Sequence, residues 1–167
     1  MPDVHEQFEQ VDAFGVGAIG EVGQRVFLLQ CRSGDTQITI KCEKQQAAAM
    51  AIYLRRVLSD LPPTSPDEVQ VSPLQPPLVA DFVLGQIGLG IEQSGPRVLV
   101  QLNEEGEVDE AGDVIDEDLS HVRLFLSPAQ ALAFCEQSEE AVAAGRPLCR
   151  WCDGPINPDG HLCPRMN

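Results

Sequence analysis

Apolar residues recur along this chain in two rhythms. At Met50, Leu54, Val57, Leu58 and Leu61 they return every three or four positions, with Arg55 and Arg56 off the stripe, which is the pattern of an amphipathic helix. The spacing predicts a helix over 43–61 that Pro62-Pro63 ends. A weaker stripe through Ala131, Phe134, Cys135, Ser138 and Val142 predicts a second helix over 127–144. Ser127 is placed to cap it, Pro128 suits its first turn, and Gly145 before Arg146-Pro147 stops it. Elsewhere the rhythm is that of strands. Segments 25–31 and 36–42 flank Ser33-Gly34-Asp35, a short hairpin connection, and Gly95-Pro96 separates 82–93 from 97–103 in the same manner. Val122 to Leu126 reads as another strand. Gly85, Gly88 and Gly90 inside the 82–93 segment point to a bulge, a sharp bend or a close backbone approach.

The two halves of the chain share their wording. Gly17-Ala18-Ile19-Gly20 and Gly23-Gln24-Arg25 correspond to Gly85-Gln86-Ile87-Gly88 and Gly95-Pro96-Arg97, and each block leads into an apolar strand, a further strand and a helix. The expected fold is therefore α+β: duplicated strand-strand-strand-helix units, about 14–61 and 80–144, forming a bent, largely antiparallel sheet or partial barrel covered by two helices. Residues 61–77 contain six prolines and read as a stiff, extended linker between the units. An α+β domain over 1–144 is followed by a small tail at 145–167, expected to dock beside the second helix as a zinc knuckle.

Composition narrows the function. Of 167 residues 43% are hydrophobic, enough for a true core, and 11 Lys and Arg against 26 Asp and Glu leave a net charge of −15. Such a surface repels phosphate backbones and anionic lipid, so nucleic-acid binding is not expected. No apolar run approaches the roughly 18–20 residues of a membrane span. The acidic, polar residues 1–10 do not resemble a secretory signal, and six unevenly placed cysteines do not make a disulfide framework. A cytoplasmic protein with reduced thiols is the expectation. Between Val98 and Val122 there is no Lys or Arg, while Glu104, Glu105, Glu107, Asp109, Glu110, Asp113, Asp116, Glu117 and Asp118 accumulate. This segment reads as a solvated, mobile loop. A calcium loop fits poorly, because Val108 falls at the position of the turn glycine if Asn103 is the first ligand.

Two motifs carry candidate chemistry. Gly15-Val16-Gly17-Ala18-Ile19-Gly20 matches the dinucleotide-binding fingerprint letter for letter, but that motif needs a buried strand before it and a helix N-terminus after it. Here residues 6–12 are charged and not strand-like, and a strand follows, so glycines opening a bent strand are the better reading. The tail is more specific. Cys149-x-x-Cys152 lets two thiolates converge, and His161 and Cys163, two apart in an extended segment, point to one side. Cys149, Cys152, His161 and Cys163 form a Cys3His set suited to tetrahedral zinc, and Gly154, Pro155, Pro158 and Gly160 turn the chain back between the pairs. Four protein ligands imply a closed, structural ion; a loose His161 would admit water and a catalytic one; a redox Cys149–Cys152 pair is the metal-free alternative. Asp153 stands where many knuckles have glycine.

The remaining candidates are mild. Cys31, Cys42 and Cys135 fit packing positions, His5 lies in an acidic terminus, and His121 adjoins the acidic loop. Arg25 and Arg97 could pair with Glu21 and Glu92 or bind an anionic ligand. No catalytic triad can be assembled around His5, His121 or His161, and the carboxylates are too numerous to nominate an acid/base pair.

The block from Gly17 through Gln30, Glu43-Lys44-Gln45-Gln46, and the ending from Gly145-Arg146-Pro147-Leu148-Cys149 to His161-x-Cys163-Pro164-Arg165 together resemble an uncharacterised bacterial family, a domain of unknown function with a Cys/His tail. The resemblance implies a cytoplasmic protein without assigned activity, encoded near histidine-phosphatase-like and phosphoinositide-kinase-like proteins, with Cys149, Cys152, His161 and Cys163 matching the family's ligand positions. The functional expectation is a non-enzymatic adaptor with a protein partner and a structural zinc. The alternative is an enzyme or binding protein for a phosphorylated small molecule, with Arg25 and Arg97 lining an anion pocket.

Overall fold

The computed structural model describes residues 3–115, 118–145, 148–154, 156 and 160–166. Asp116 and Glu117 of the acidic loop, Arg146 and Pro147, and Pro155 and Pro158 of the expected tail turn lie outside the described residues. Strands β1 (His5–Phe8), β2 (Ala13–Ile19), β3 (Val26–Ser33) and β4 (Thr36–Cys42) precede helix α1 (Lys44–Ser59); β5 (Phe82–Ile91), β6 (Val98–Glu104) and β7 (His121–Leu126) precede α2 (Pro128–Ala143). All seven strands form one sheet in the order β1-β7-β6-β5-β4-β3-β2.

The sheet is mixed: it is largely antiparallel, as expected, with four antiparallel pairings of six, but two parallel pairings correct the simpler picture. The hairpin pairs are antiparallel, but β4 runs parallel to β5 and β1 parallel to β7. The β4–β5 junction is short, pairing Ile40 with Phe82 and Lys41 with Val83. Asp81 extends it: its amide donates to the Thr39 carbonyl at 2.7 Å, and its carboxylate accepts the Thr39 amide at 2.8 Å. A second correction is β1, which forms where residues 6–12 read as too charged for a strand. It is an edge strand, so three of its four side chains meet water and only Phe8 is buried.

Both helices follow the predicted stripes. On α1, Ala47, Met50, Ala51 and Leu54 are buried, and Val57, Leu58 and Leu61 pack at the core margin. Ser127 caps α2 by accepting the Gln130 amide, while the Gln130 side chain accepts the Ser127 amide, a reciprocal capping box. Ala131, Phe134, Cys135 and Ser138 face inward, with Phe134 stacked on Phe14 at 4.6 Å. The Ser138 hydroxyl donates to the Ala47 carbonyl, joining the helices where both are buried.

The proline-rich segment returns along the β2–β4 half. Buried Gln30 binds Gln75 twice, donating to its carbonyl and accepting its amide, both at 2.8 Å. Close passage of this segment explains the glycines of β2. A β-carbon on Gly15 would overlap the Ser72 carbonyl oxygen, and one on Gly17 would come within 2.7 Å of Leu74. The dinucleotide-like spelling is thus a packing signature, followed by a turn and β3 rather than by a helix. The exposed edge of β2 is also closed, since the Val16 amide donates to Gln137, whose Nε2 donates to the Ser72 carbonyl. In β5 the register shifts between Leu84 and Ile87, placing a bulge at Gly85-Gln86, and Gln46 of α1 donates to the Leu84 and Gly85 carbonyls.

No helix among the described residues is long and apolar enough to cross a membrane. Gly15→Ala is expected to cost about 1–3 kcal/mol by overpacking. Gly90→Ala, with nothing within 4 Å, should stay within about 0.5 kcal/mol. Urea unfolding midpoints of the two variants check the difference.

Candidate metal centre

Two backbone hydrogen bonds shape the start of the described tail. The Asp153 amide donates to the Cys149 carbonyl, and the Cys149 amide donates to the Gly154 carbonyl, both at 2.8 Å. These bonds curl 149–154 into a tight loop with Cys149 and Cys152 on one side. Asp153 has φ +57°, the left-handed conformation that glycine adopts most cheaply and that Asp tolerates among the other residues. The departure at 153 therefore leaves the turn intact. Gly154 is needed for space: a β-carbon there would lie 3.3 Å from the Cys152 sulfur. The returning strand is fastened by Arg165, which donates to the Trp151 carbonyl at 3.0 Å.

One ligand atom from each of Cys149, Cys152, His161 and Cys163 lies within 4.8 Å of the other three. The Cys149 and Cys163 sulfurs are 3.9 Å apart, and the Cys152 sulfur is 3.4 Å from His161 Nε2. A tetrahedral ion with metal–sulfur bonds of about 2.3 Å and a metal–nitrogen bond of about 2.0 Å requires edges of roughly 3.5–3.8 Å. The donors therefore stand close to the spacing that a four-coordinate divalent ion demands, and the soft sulfur-rich set fits such an ion chemically. The Trp151 and Cys152 amides point at the Cys149 sulfur and lower its pKa, favouring the thiolate that a metal needs. Loss of hydration pushes Cys163 the other way, as does its crowding by the neighbouring sulfurs.

The other candidate residues scatter. Cys31, Cys42 and Cys135 are buried; burial pushes their thiols up to about 12, about 12 and about 11. His121 Nδ1 lies 3.1 Å from Nδ1 of His5 across the β1–β7 pair. The acidic segment carries more order than a mobile loop, with Val108 bridged to Val114 and the Asp109 carboxylate accepting the Ala111 and Asp113 amides.

The two arginines part company. Arg97 pairs with Glu92 as expected, with a second contact to Glu9, and its guanidinium lies over the Phe125 ring. It is committed to holding β1 and the β5–β6 turn. Arg25 makes no ion pair with Glu21 or with any other described residue. An anion pocket shared by Arg25 and Arg97 is therefore not formed.

Two features escaped the sequence reading. Leu148, Trp151, Leu162 and Met166 stand exposed around the Cys/His group, with Leu162 98% exposed and Trp151 51%. Arg150 lies over the Trp151 ring at 5.0 Å. The signal for this rim was present in the spacing, because residues flanking metal ligands in so short a tail have no core to enter.

No curated protein and no solved structure matches this chain. The family described as Protein of unknown function (DUF3090) matches residues 6–163, from β1 to the last cysteine of the Cys/His group. The chain belongs to that family of unknown function, and the resemblance drawn from its glycine-rich and Cys/His blocks is confirmed over nearly its whole length.

Proposed function

We propose that this protein is a zinc-binding interaction module, an adaptor without catalytic chemistry, whose tail is folded around one structural ion held by Cys149, Cys152, His161 and Cys163. The convergence of those four donors within 4.8 Å carries the reading. Three sulfurs and one imidazole are a set that zinc prefers, and a fourth protein ligand leaves no position for water or substrate. A tail this short lacks the apolar surface to order itself, and zinc ligation in small peptides supplies roughly 10–16 kcal/mol.

The adaptor role rests on what surrounds the ion. Leu148, Trp151, Leu162 and Met166 present apolar surface on a segment that metal would hold rigid. Among the described tail residues Arg150 and Arg165 outnumber Asp153, while the whole chain carries −15. An aromatic and apolar rim edged with arginine matches the composition of protein-binding hot spots. The partner is accordingly a protein, met in the cytoplasm.

Elemental analysis of the purified chain should find one zinc per chain, lost in the Cys149→Ser/Cys152→Ser variant while the melting temperature of the α+β body moves little. Zinc affinity should fall on acidification through the thiol range, because protons compete for all four donors. In chelator competition Asp153→Gly should hold zinc at least as well as the parent, whereas Asp153→Val, a β-branched residue at positive φ, should weaken it about tenfold. A Trp151→Ala/Leu162→Ser variant should retain zinc and lose the proteins that the parent captures from native lysate. Equal capture by both would contradict the adaptor role without touching the metal site.

A further inference from the structure

A cleft of about 360 Å³ opens where the end of β4 enters α1, and it is separate from the Cys/His tail. Gly23, Arg25, Val26 and Phe27 form one wall, Cys42, Glu43 and Lys44 a second, and Ala141 and Gly145 of the α2 end a third. The chain has two lysines, Lys41 and Lys44, and both line this cleft with Arg25. None of these three cations forms an ion pair with a described residue. In a chain with 26 carboxylates to 11 cations, cations lining a concavity without an ion pair, though Glu43 lines it too and Glu140 lies near Arg25, are not explained by folding alone.

We infer that this cleft is a binding site for a small phosphorylated molecule, anchored by Arg25 and Lys44. Arg25 is half-buried at the head of β3, on the same side of the strand as Phe27, and so faces the helices. Lys44 is the first residue of α1, and a β-carbon on Gly145 would stand 3.0 Å from its ammonium, so the glycine leaves that head its room. The first turn of α1 adds the positive end of a sixteen-residue helix, although its Gln46 and Ala47 amides are already bonded to Glu43. By strand alternation Lys41 leaves β4 on the side opposite Cys42, so the charge facing the cleft comes from Arg25 and Lys44. Two features oppose an anion. Glu43 lines the cleft, but it is the N-cap of α1 and forms a capping box with Gln46. The carbonyl end of α2 favours the cations without supplying a full counter-charge.

Volume and charge set the ligand class. About 360 Å³ accommodates a small metabolite, and Val26, Phe27 and Ala141 offer an apolar wall beside the anion seat. The surrounding −15 charge repels a polyanion such as nucleic acid, leaving a compact phosphate ester as the occupant. Recognition would be by bidentate Arg25 and the Lys44 point charge.

The test is an amide chemical-shift titration of the ¹⁵N-labelled full chain with inorganic phosphate and with phenyl phosphate, at ionic strength held constant with sodium chloride. Both probes should give saturable shifts at Val26, Lys44 and Gly145, with phenyl phosphate binding more tightly because its ring reaches the apolar wall. Arg25→Gln and Lys44→Gln should each weaken binding about tenfold, and Arg55→Gln, which removes a surface pair with Glu139, should leave it unchanged. Non-saturating shifts, or saturable binding that survives the Arg25→Gln/Lys44→Gln double variant, would overturn the proposal. Neither outcome depends on the zinc content of the tail.

Discussion

Two neighbouring strands that run parallel cannot be joined by a tight turn, and that constraint organises this molecule. β4 and β5 pair in parallel at the centre of the sheet, so the chain must leave one end of β4 and return to the other end before β5 begins. Helix α1 and the proline-rich segment are that crossover. Once it is made, α1 begins beside the end of β4, which sets Lys44 against Arg25. The return path passes so close to β2 that a β-carbon at Gly15 would overlap the Ser72 carbonyl and one at Gly17 would crowd the Leu74 side chain. The second helix then packs on α1 and on β2, and its far end delivers the tail.

The tail obeys a different constraint. Its loop 149–154 is tied by two backbone hydrogen bonds, and its large apolar residues lie outside rather than inside. Among its described residues only Cys149 is buried, so on the proposed reading ligation by the four convergent donors supplies the free energy that orders it. Under the proposed zinc reading, the same ion that folds the tail also fills its own coordination sphere with protein. A rigid piece edged with Trp151, Leu162 and Arg150 can present a surface, but its metal has no vacancy for a reactant. On the two proposals together, body and tail would divide the work, the cleft at Arg25 and Lys44 taking a small anion and the tail another protein.

How much of this was written locally in the chain varies with the element. The stripe from Met50 to Leu61, the Ser127 cap and the Ser33-Gly34-Asp35 turn each act within a few residues, and each is present in the structure as the pattern implied. The Cys/His group was legible for the same reason, since ligand spacing is short-range. β1 was not, because an edge strand needs no apolar alternation and its pairing comes from β7, more than a hundred residues away. The parallel β4–β5 junction likewise rests on a contact that neither strand announces. Gly15 to Gly20 show the reverse hazard: the letters of a phosphate-binding motif arise from the need to let another segment pass. Arg25 and Arg97 occupy matching places ahead of β3 and β6, yet among the described residues only Arg97 forms ion pairs, one with nearby Glu92 and one with Glu9 beyond β1.

The most direct test of the closed metal centre is X-ray absorption at the zinc edge on the purified full-length protein. A first shell of three sulfurs at about 2.3 Å and one nitrogen at about 2.0 Å is the predicted result. A shell with an additional or substituted oxygen, or a sulfur count below three, would contradict it, because the ion would then keep a position open to solvent.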